Sequence, residues 1–538
     1  MRKGIAASKG YAIGKVFLKE QDVIVIAHSN CIDVIEEKKR LKRAVEEARN
    51  QLIHLRDKTG ESIGKEESVV FESHLILLDD PEFIGAASAA VERDNTSAEA
   101  AVKSIVDMYL AIFSDMEDEY IKERAADIKD VGNRLLRNLM GRCSTEFPDL
   151  PENTVVVAHD LVPSDTAQLD RRKVIAFLTD IGGRTSHSAI IARMLEIPAV
   201  VGLQDITSRV KNGDTVIVDG AEGVVIINPQ EDTLKLYEDK RVQLEIENDK
   251  LKGLIDKKAV TRAGRNIAVA GNIGSVEDVH KVIENGGEGV GLFRTEFLYM
   301  DREELPTEEE QFLAYKYVAE KLEGRPLIIR TLDIGGDKRL PYLPMPEEIN
   351  PFLGYRAIRL CLDRQDVFKT QLRAILRASV FGKVKIMFPM ISALKELIKA
   401  KEVLWRCMEE LKTEEKPFNE AVETGIMIEV PSAAIMADEL AGYVDFFSIG
   451  TNDLVQYTLA ADRMNEKIAY LYDPMHPAVL RLIKMTIDAA HREGKWCGMC
   501  GEMAGDEEAI PTLMEYGLDE FSVSAPYILR VKQKIINS

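Results

Sequence analysis

The spacing of apolar and polar positions changes several times along this chain, and each change marks a different kind of element. The first 20 residues alternate briefly and carry glycines, which reads as a short β-rich start. From about 30 to 140 the period is helical. Leu41, Val45, Ala48, Leu52 and Leu55 recur at spacings of 4, 3, 4 and 3, one apolar seam on a helix. Further helices are expected around 69–78, 97–113 and 117–140, the last stopping at Gly141, a residue type suited to the position just past a helix end. Glycine and proline are sparse here, so a helical bundle is the simplest architecture.

Residues 146–228 read as α/β. The runs VVVA (155–158), VIAFL (174–178), PAVVG (198–202) and TVIVD (215–219) are short, β-branched and separated by turn residues. The bundle, at 21–145, thus interrupts an α/β domain made of 1–20 and 146–228. Residues 229–258 are charged and helical, with Leu234, Tyr237, Leu244 and Leu251 as a sparse seam, and read as a linker rather than a core element. From 259 to 538 eight strand candidates alternate with helical patterns: 267–273, 289–293, 326–332, 384–390, 424–430, 444–450, 495–500 and 519–524. Eight strands in this rhythm are expected to close into a (β/α)8 TIM-like barrel. An open doubly wound sheet is the alternative, but it usually has fewer strands and a glycine-rich nucleotide turn. The fold class expected is therefore multidomain α/β.

Composition narrows the function. The 538 residues carry 70 Lys and Arg against 90 Asp and Glu, a formal charge of −20, which argues against a general nucleic-acid or anionic-membrane binder. Six cysteines, of which only Cys497 and Cys500 are close, make no disulfide framework. No apolar run approaches the roughly 18 residues of a membrane span, and the N-terminus lacks an apolar signal core. A cytoplasmic, reduced setting is expected.

In a barrel of this type, active residues lie just past the strand ends. Arg294, Thr295 and Glu296 follow the second strand, and Arg330, Asp333, Asp337 and Lys338 belong to the third. Glu429 ends the fifth, Asn452 and Asp453 the sixth, Cys500 and Glu502 the seventh, with Arg356 and Arg463 in adjoining segments. Two carboxylates and an amide suit a hard cation with oxygen ligands, Mg²⁺ before Zn²⁺. The arginines suit a ligand bearing phosphate and carboxylate. A ring of ion pairs closing the barrel top is the alternative, and the number of such residues at one end weighs against it.

A second centre is IGGRTSHSAIIAR, 181–193. Gly182 and Gly183 permit a tight turn, and His187 would lie at a helix N-terminus, where unpaired N–H groups favour an anion. Thr185 and Ser186 add hydroxyls, and a neutral imidazole there can attack phosphorus. The alternative is a helix cap with an incidental histidine; the Gly-Gly and Thr-Ser flanks favour function. The other seven histidines show no ligand spacing. For the C-G-M-C pair, a single functional thiol at Cys500 is favoured over redox chemistry.

The motifs GGRTSHSAIIAR, GLFRTEFLYMDR, RTLDIGGDK, NPFLGYRAIR, DFFSIGTNDLVQYTLAADR and GMCGEMAGD, in this order over nearly the whole chain, closely resemble the phosphoenolpyruvate–protein phosphotransferases, the Enzyme I family of the bacterial sugar phosphotransferase system. The resemblance implies that phosphoenolpyruvate binds in the barrel with Mg²⁺, with Mn²⁺ as the alternative metal. It implies that the phosphoryl group moves to Nε2 of His187, that pyruvate leaves, and that a histidine of the phosphocarrier protein HPr then receives the group. By position Arg294, Arg330, Asn452, Asp453 and Arg463 match the family's substrate contacts, Glu429 and Asp453 its metal ligands, and Cys500 its proton donor. Arg356 and Lys338 fall in matching motifs with less defined roles.

The resemblance makes the bundle the HPr-docking domain. Its residues 21–140 hold 16 Lys and Arg against 25 Asp and Glu, an acidic balance that would attract a basic partner. A swinging α/β domain is expected, moving on connections at about 144–150 and along 229–260, because His187 must both collect and deliver the phosphoryl group. The resemblance also implies a homodimer through the barrel. Relatives usually run on into a helical tail, whereas this sequence ends at Ser538, a difference on which dimer strength would depend. The rivals are a pyruvate,phosphate dikinase or phosphoenolpyruvate synthase-like fragment, and a non-catalytic phosphoenolpyruvate sensor. No phosphate loop precedes the His187 motif, which disfavours the first. The joint presence of nucleophile, proton donor and metal ligands disfavours the second.

Overall fold

The computed structural model describes residues 1–19, 33–62, 65–114, 119–141, 150–166, 169–170, 172–183, 186–195, 197–300, 302–336, 338, 340–463, 465 and 468–538. Arg184, Thr185, Asp337 and most of the expected 144–150 connection lie outside them. Contacts divide the chain into two units, Met1–Ile246 and Glu247–Ser538.

In the first unit, strands β1 (Arg2–Lys3), β2 (Ile5–Ser8), β3 (Tyr11–Leu18), β4 (Thr154–Ala158), β5 (Val174–Thr179), β6 (Ala199–Val201), β7 (Thr215–Asp219) and β8 (Val224–Ile227) form one sheet, in the order β1-β8-β7-β3-β4-β5-β6-β2. β3, β4, β5 and β6 run parallel, while β7 and β8 form an antiparallel hairpin that pairs back onto β3. The four apolar runs read from the sequence are β4 to β7; the short N-terminal strands and β8 complete the sheet. Both faces are covered, which is why the central strands are nearly all apolar: Val155, Val156, Val157, Phe177 and Leu178 are fully buried.

Between β3 and β4 the helices Val34–Ser62, Lys65–Asp79, Ala86–Arg93, Ala98–Ser114 and Glu119–Leu139 pack around Leu41, Leu52, Phe71, Val102 and Leu135. The seam expected at 41–55 faces this core, with Ala44 taking the deeper place beside a half-buried Val45. Helix Ala86–Arg93, absent from the sequence reading, is rich in alanine and buries Ala87, Ala90 and Val91. Polar ties join bundle and sheet domain. Arg134 of the bundle donates to Ser164 Oγ of the sheet domain at 2.8 Å while also donating to Gln51 Oε1 at 3.0 Å, and the Ser164 N–H donates to Asp130 Oδ2 of the bundle at 3.3 Å.

The helix Glu231–Lys252 contains the break between the units. Its first turns are docked on the sheet domain: the Tyr237 hydroxyl donates to Asp219 Oδ2 at 3.2 Å, its ring meets Tyr11 edge-on, and the Lys240 ammonium lies 4.4 Å from the Tyr237 ring centre.

The second unit is a closed barrel of eight parallel strands: β9 (Ala268–Ile273), β10 (Val290–Phe293), β11 (Pro326–Arg330), β12 (Lys383–Phe388), β13 (Glu423–Ile428), β14 (Phe446–Ile449), β15 (Trp496–Met499) and β16 (Glu520–Ser524), with β16 pairing β9 to close the ring. Each corresponds to one of the eight segments expected from the sequence. A layer of Leu292, Ile328, Met387, Met427 and Phe446 fills the interior, with Phe446 and Trp496 stacked at 4.7 Å. The barrel is therefore a packed core rather than a pore, and its site lies at the strands' carboxyl ends. Among the described residues no helix is long and apolar enough to cross a membrane.

Candidate functional site

The barrel's register sets where its polar side chains converge. Arg330 is the last residue of β11; Arg294 and Glu429 come directly after β10 and β13, and Cys500 directly after β15. Asn452 and Asp453 lie in the first turn of helix Thr451–Leu459, which follows β14. These residues, together with Lys338, Arg356, Arg463, Asp333 and Glu502, line one cavity of about 530 Å³.

Asp333 is the hub of the cavity's buried charges. Arg330 Nη1 lies 2.9 Å from its Oδ2, and Arg356 Nη2 donates to Oδ1 at 3.0 Å and to Oδ2 at 3.1 Å. Arg330 also donates to Glu296 Oε1 at 2.6 Å, and Arg356 to Asp453 Oδ2 at 3.2 Å. Burial raises the pKa of the Asp333 carboxyl, but the two guanidinium groups outweigh it and hold the value at about 2. Arg356 approaches so closely because residue 335 is glycine: φ is +119°, and a Cβ there would lie 2.3 Å from that of Arg356.

Arg294, Arg463 and Lys338 form no ion pair among the described residues. Burial, and then repulsion from Arg330, lower the pKa of Arg294. Asn452 is turned toward its neighbour: its Nδ2 donates to Glu502 Oε1 at 3.0 Å, and its Oδ1 accepts from the Glu502 N–H at 2.9 Å.

Glu429 is the unstable charge of the site. It is buried, accepts from the Met390 N–H at 2.5 Å, and has its pKa pushed to about 8 by burial and then by Asp453 and Asp333. Asp453 Oδ1 has no hydrogen-bond partner among the described residues. Two close carboxylates with a free oxygen are a donor set for a cation. Among the described residues no group of three His, Cys, Asp or Glu could hold a metal alone; Mg²⁺ usually completes its shell with substrate and water oxygens. Burial pushes the Cys500 thiol up to about 11, with Ser448 and Arg330 opposing.

His187 belongs to the first unit. It opens helix His187–Met194, with Ser186 as the residue before the first turn. Gly182, at φ +111°, makes the turn out of β5. The Ser186 hydroxyl donates to Gly183 O at 2.9 Å, so it closes this turn. Asp180 anchors the loop's start, accepting from Thr207 N at 3.0 Å and lying 3.1 Å from His159 Nδ1.

Three family models match: "PEP-utilising enzyme, N-terminal" over 3–124, "PEP-utilising enzyme, mobile domain" over 150–223 and "PEP-utilising enzyme, PEP-binding domain" over 248–538. A phosphoenolpyruvate-protein phosphotransferase of Priestia megaterium is 52% identical over 533 residues, 99% of this chain and 93% of its own length. Its counterpart in Bacillus subtilis strain 168 is 51% identical over 536 residues, 99% and 94% of the two chains. This chain belongs to the phosphoenolpyruvate–protein phosphotransferase family.

In this phosphotransferase the sequence reading passed over two tyrosines of the cavity region. The Tyr457 hydroxyl accepts from Arg356 Nη1 at 3.0 Å and donates to Phe352 O at 2.6 Å; Tyr472 donates to Asn452 O at 3.2 Å. Tyr457 sits four residues after Asp453 on one helix, so the i, i+4 rule offered a signal. Tyr472 lies in a segment with no periodic pattern and offered none.

Proposed function

We propose that this protein takes the phosphoryl group of phosphoenolpyruvate onto His187 and passes it to a histidine of HPr, releasing pyruvate, as the first step of phosphotransferase-system sugar uptake. The observation that carries this reading is the single cavity in which Arg294, Arg330, Arg356, Arg463, Lys338, Glu429, Asn452, Asp453 and Cys500 converge. Phosphoryl transfer needs positioning and charge neutralisation more than covalent help.

Arg294 and Arg463, which form no ion pair among the described residues, bind the phosphate and carboxylate. Arg330 and Arg356, held by Asp333, supply fixed positive charge that needs no reorganisation. Asn452 and Asp453 border the same ligand. Glu429 and Asp453 would hold Mg²⁺, or Mn²⁺, whose charge neutralises the phosphoryl oxygens when it is bound. The Cys500 thiol, neutral because burial raises its pKa, protonates the enolpyruvate carbon. An imidazole with a reference pKa near 6.5 is largely neutral at physiological pH, as a nucleophile must be.

The acidic bundle is the docking face for HPr. The α/β domain swings on its two connections, and the barrel carries a homodimer contact, in a cytoplasmic protein. Crosslinking the two units should leave phosphoenolpyruvate binding intact and stop turnover, and deleting the bundle should abolish transfer to HPr alone. The deciding experiment is incubation with ³²P-phosphoenolpyruvate and Mg²⁺, with His187→Ala as control. Acid-labile label on the wild type alone supports the reading; equal label on both, or none, refutes it.

A further inference from the structure

The backbone around Cys500 is tied down from both sides. Its N–H donates to Ile449 O at 3.1 Å, its carbonyl accepts from Asn272 Nδ2 at 3.0 Å, and Asn272 Oδ1 in turn accepts from Ser522 Oγ at 2.6 Å. The side chain packs on the apolar interior layer of Leu292, Met427 and Phe446. One polar group interrupts that setting. Ser448, the third residue of β14, is 1% exposed. It pairs in register with Gly498 of β15, two residues before Cys500, and alternates with interior-facing Phe446, so Ser448 and Cys500 face the barrel interior from neighbouring strands; its hydroxyl opposes the upward pull of burial on the thiol. Among the described residues it nevertheless has no partner of normal hydrogen-bond geometry, while the sulfhydryl is directed at Ile449 O, 3.8 Å away.

A buried hydroxyl without a partner is destabilising, so the arrangement calls for a state in which the bond is made. A neutral sulfur accepts weakly and a thiolate strongly. The other charges facing this sulfur are Arg330 and Arg294, which favour the thiolate, and Glu429, which opposes it.

We propose that Ser448 is the internal donor to the Cys500 thiolate, supplying a hydrogen bond made only after the thiol has given up its proton. The proposal rests on the reading of Cys500 as proton donor. In that step the S–H bond breaks and its electron pair stays on sulfur. The proton forms the new C–H bond at the enolpyruvate methylene carbon, and the enolate oxygen becomes the ketone. The Ser448 O–H stays intact and turns toward sulfur. Water returns a proton to the sulfur once pyruvate has left. Ser448 acts through Cys500 and does not touch substrate. A bond that strengthens as negative charge develops raises the rate of protonation and leaves substrate affinity alone.

The test uses the full chain with Mg²⁺. The rate of Cys500 alkylation by iodoacetamide is followed by site-resolved mass spectrometry at about pH 8 to about pH 10, below the thiol's midpoint, in wild type, Ser448→Ala and Ser448→Thr. In Ser448→Ala the alkylation rate should fall roughly tenfold at each pH, and pyruvate release should slow roughly tenfold or more. Equilibrium binding of phosphoenolpyruvate should stay within about twofold. Ser448→Thr, which keeps the hydroxyl, should return the alkylation rate toward that of wild type. An unchanged alkylation rate or wild-type pyruvate release in Ser448→Ala, beside an inactive Cys500→Ala, overturns this proposal alone. Wild-type release by Cys500→Ala overturns the proton-donor reading and this proposal with it.

Discussion

Glu520 opens β16 at the amino-terminal end of the barrel, opposite the cavity, and its carboxyl points into the interior. Glycines on the flanking strands leave it room: a Cβ on Gly291 would lie 2.6 Å from its Oε1, and one on Gly498 3.2 Å away. That oxygen has no hydrogen-bond partner. Lys385, the cation that acts on it, is shared, since its ammonium lies 2.6 Å from Glu423 Oε2 and 4.9 Å from the Trp496 ring centre. Burial raises the Glu520 carboxyl to about 7; Lys385 opposes this, and Glu288 and Asp519 add to it. The folded chain therefore holds a proton that the unfolded chain releases near 4.5. Stability is undiminished below that pH, falls as pH rises through 7, and is lower by about 3 kcal/mol above it, at about 1.4 kcal/mol per pH unit. Glu520→Gln removes the charge at every pH. The variant should match wild type near pH 4 and exceed it near pH 8.5 by up to about 3 kcal/mol, a rise of roughly 6 °C in the barrel transition. Calorimetry of both proteins at the two pH values measures this, and titrations common to both cancel in the difference. A difference that does not grow with pH, or a less stable variant at the higher pH, refutes the reasoning.

Asp333→Asn should lower stability by about 3–5 kcal/mol in urea unfolding, because it strips a shared partner from two buried guanidinium groups. Glu429→Gln should melt higher than wild type without divalent cation, since a carboxylate strained by burial and by Asp453 is gone; its melting temperature should no longer rise with Mg²⁺ and phosphoenolpyruvate, reflecting a tenfold or greater loss of cation affinity. Tyr237→Phe should weaken docking of the helix Glu231–Lys252 by about 1 kcal/mol, read as faster hydrogen exchange in its first three turns, with the barrel unaffected.

The barrel was legible because strands buried on both faces must be apolar throughout, so each stood out between amphipathic helices. The site was legible because this fold exposes functional groups just past strand ends, and polar residues such as Arg294, Glu429 and Cys500 there break an apolar run. Some features were hidden. The linker expected at 229–258 does contain the break between the units, but the break's position inside an unbroken helix is unmarked by glycine or proline, and the docking of Tyr237 on the sheet domain is masked because it reads as one more seam residue. The pairing of charges was equally invisible, since Asp333 meets Arg356, 23 residues away, through a loop whose path depends on Gly335. Ser448 looks like an ordinary strand residue; its meaning depends on the neighbouring strand, which only the closed barrel supplies.

That pairing decides how the cavity attracts its ligand. Among the described residues five cationic side chains line it, against Asp333, Glu429, Asp453 and Glu502, and Glu296 stands behind Arg330 to make five carboxylates. With Glu429 ionised the formal charges cancel, so a ligand carrying both phosphate and carboxylate meets little net field. Arg330 and Arg356 give direction rather than excess charge, because Asp333 already neutralises them in part. The surplus on Arg294, Arg463 and Lys338 is offset by Asp453, and by Glu429 once it is ionised, until a cation covers that pair. Cation and substrate should then bind better together than apart, and linkage requires each to tighten the other by the same factor.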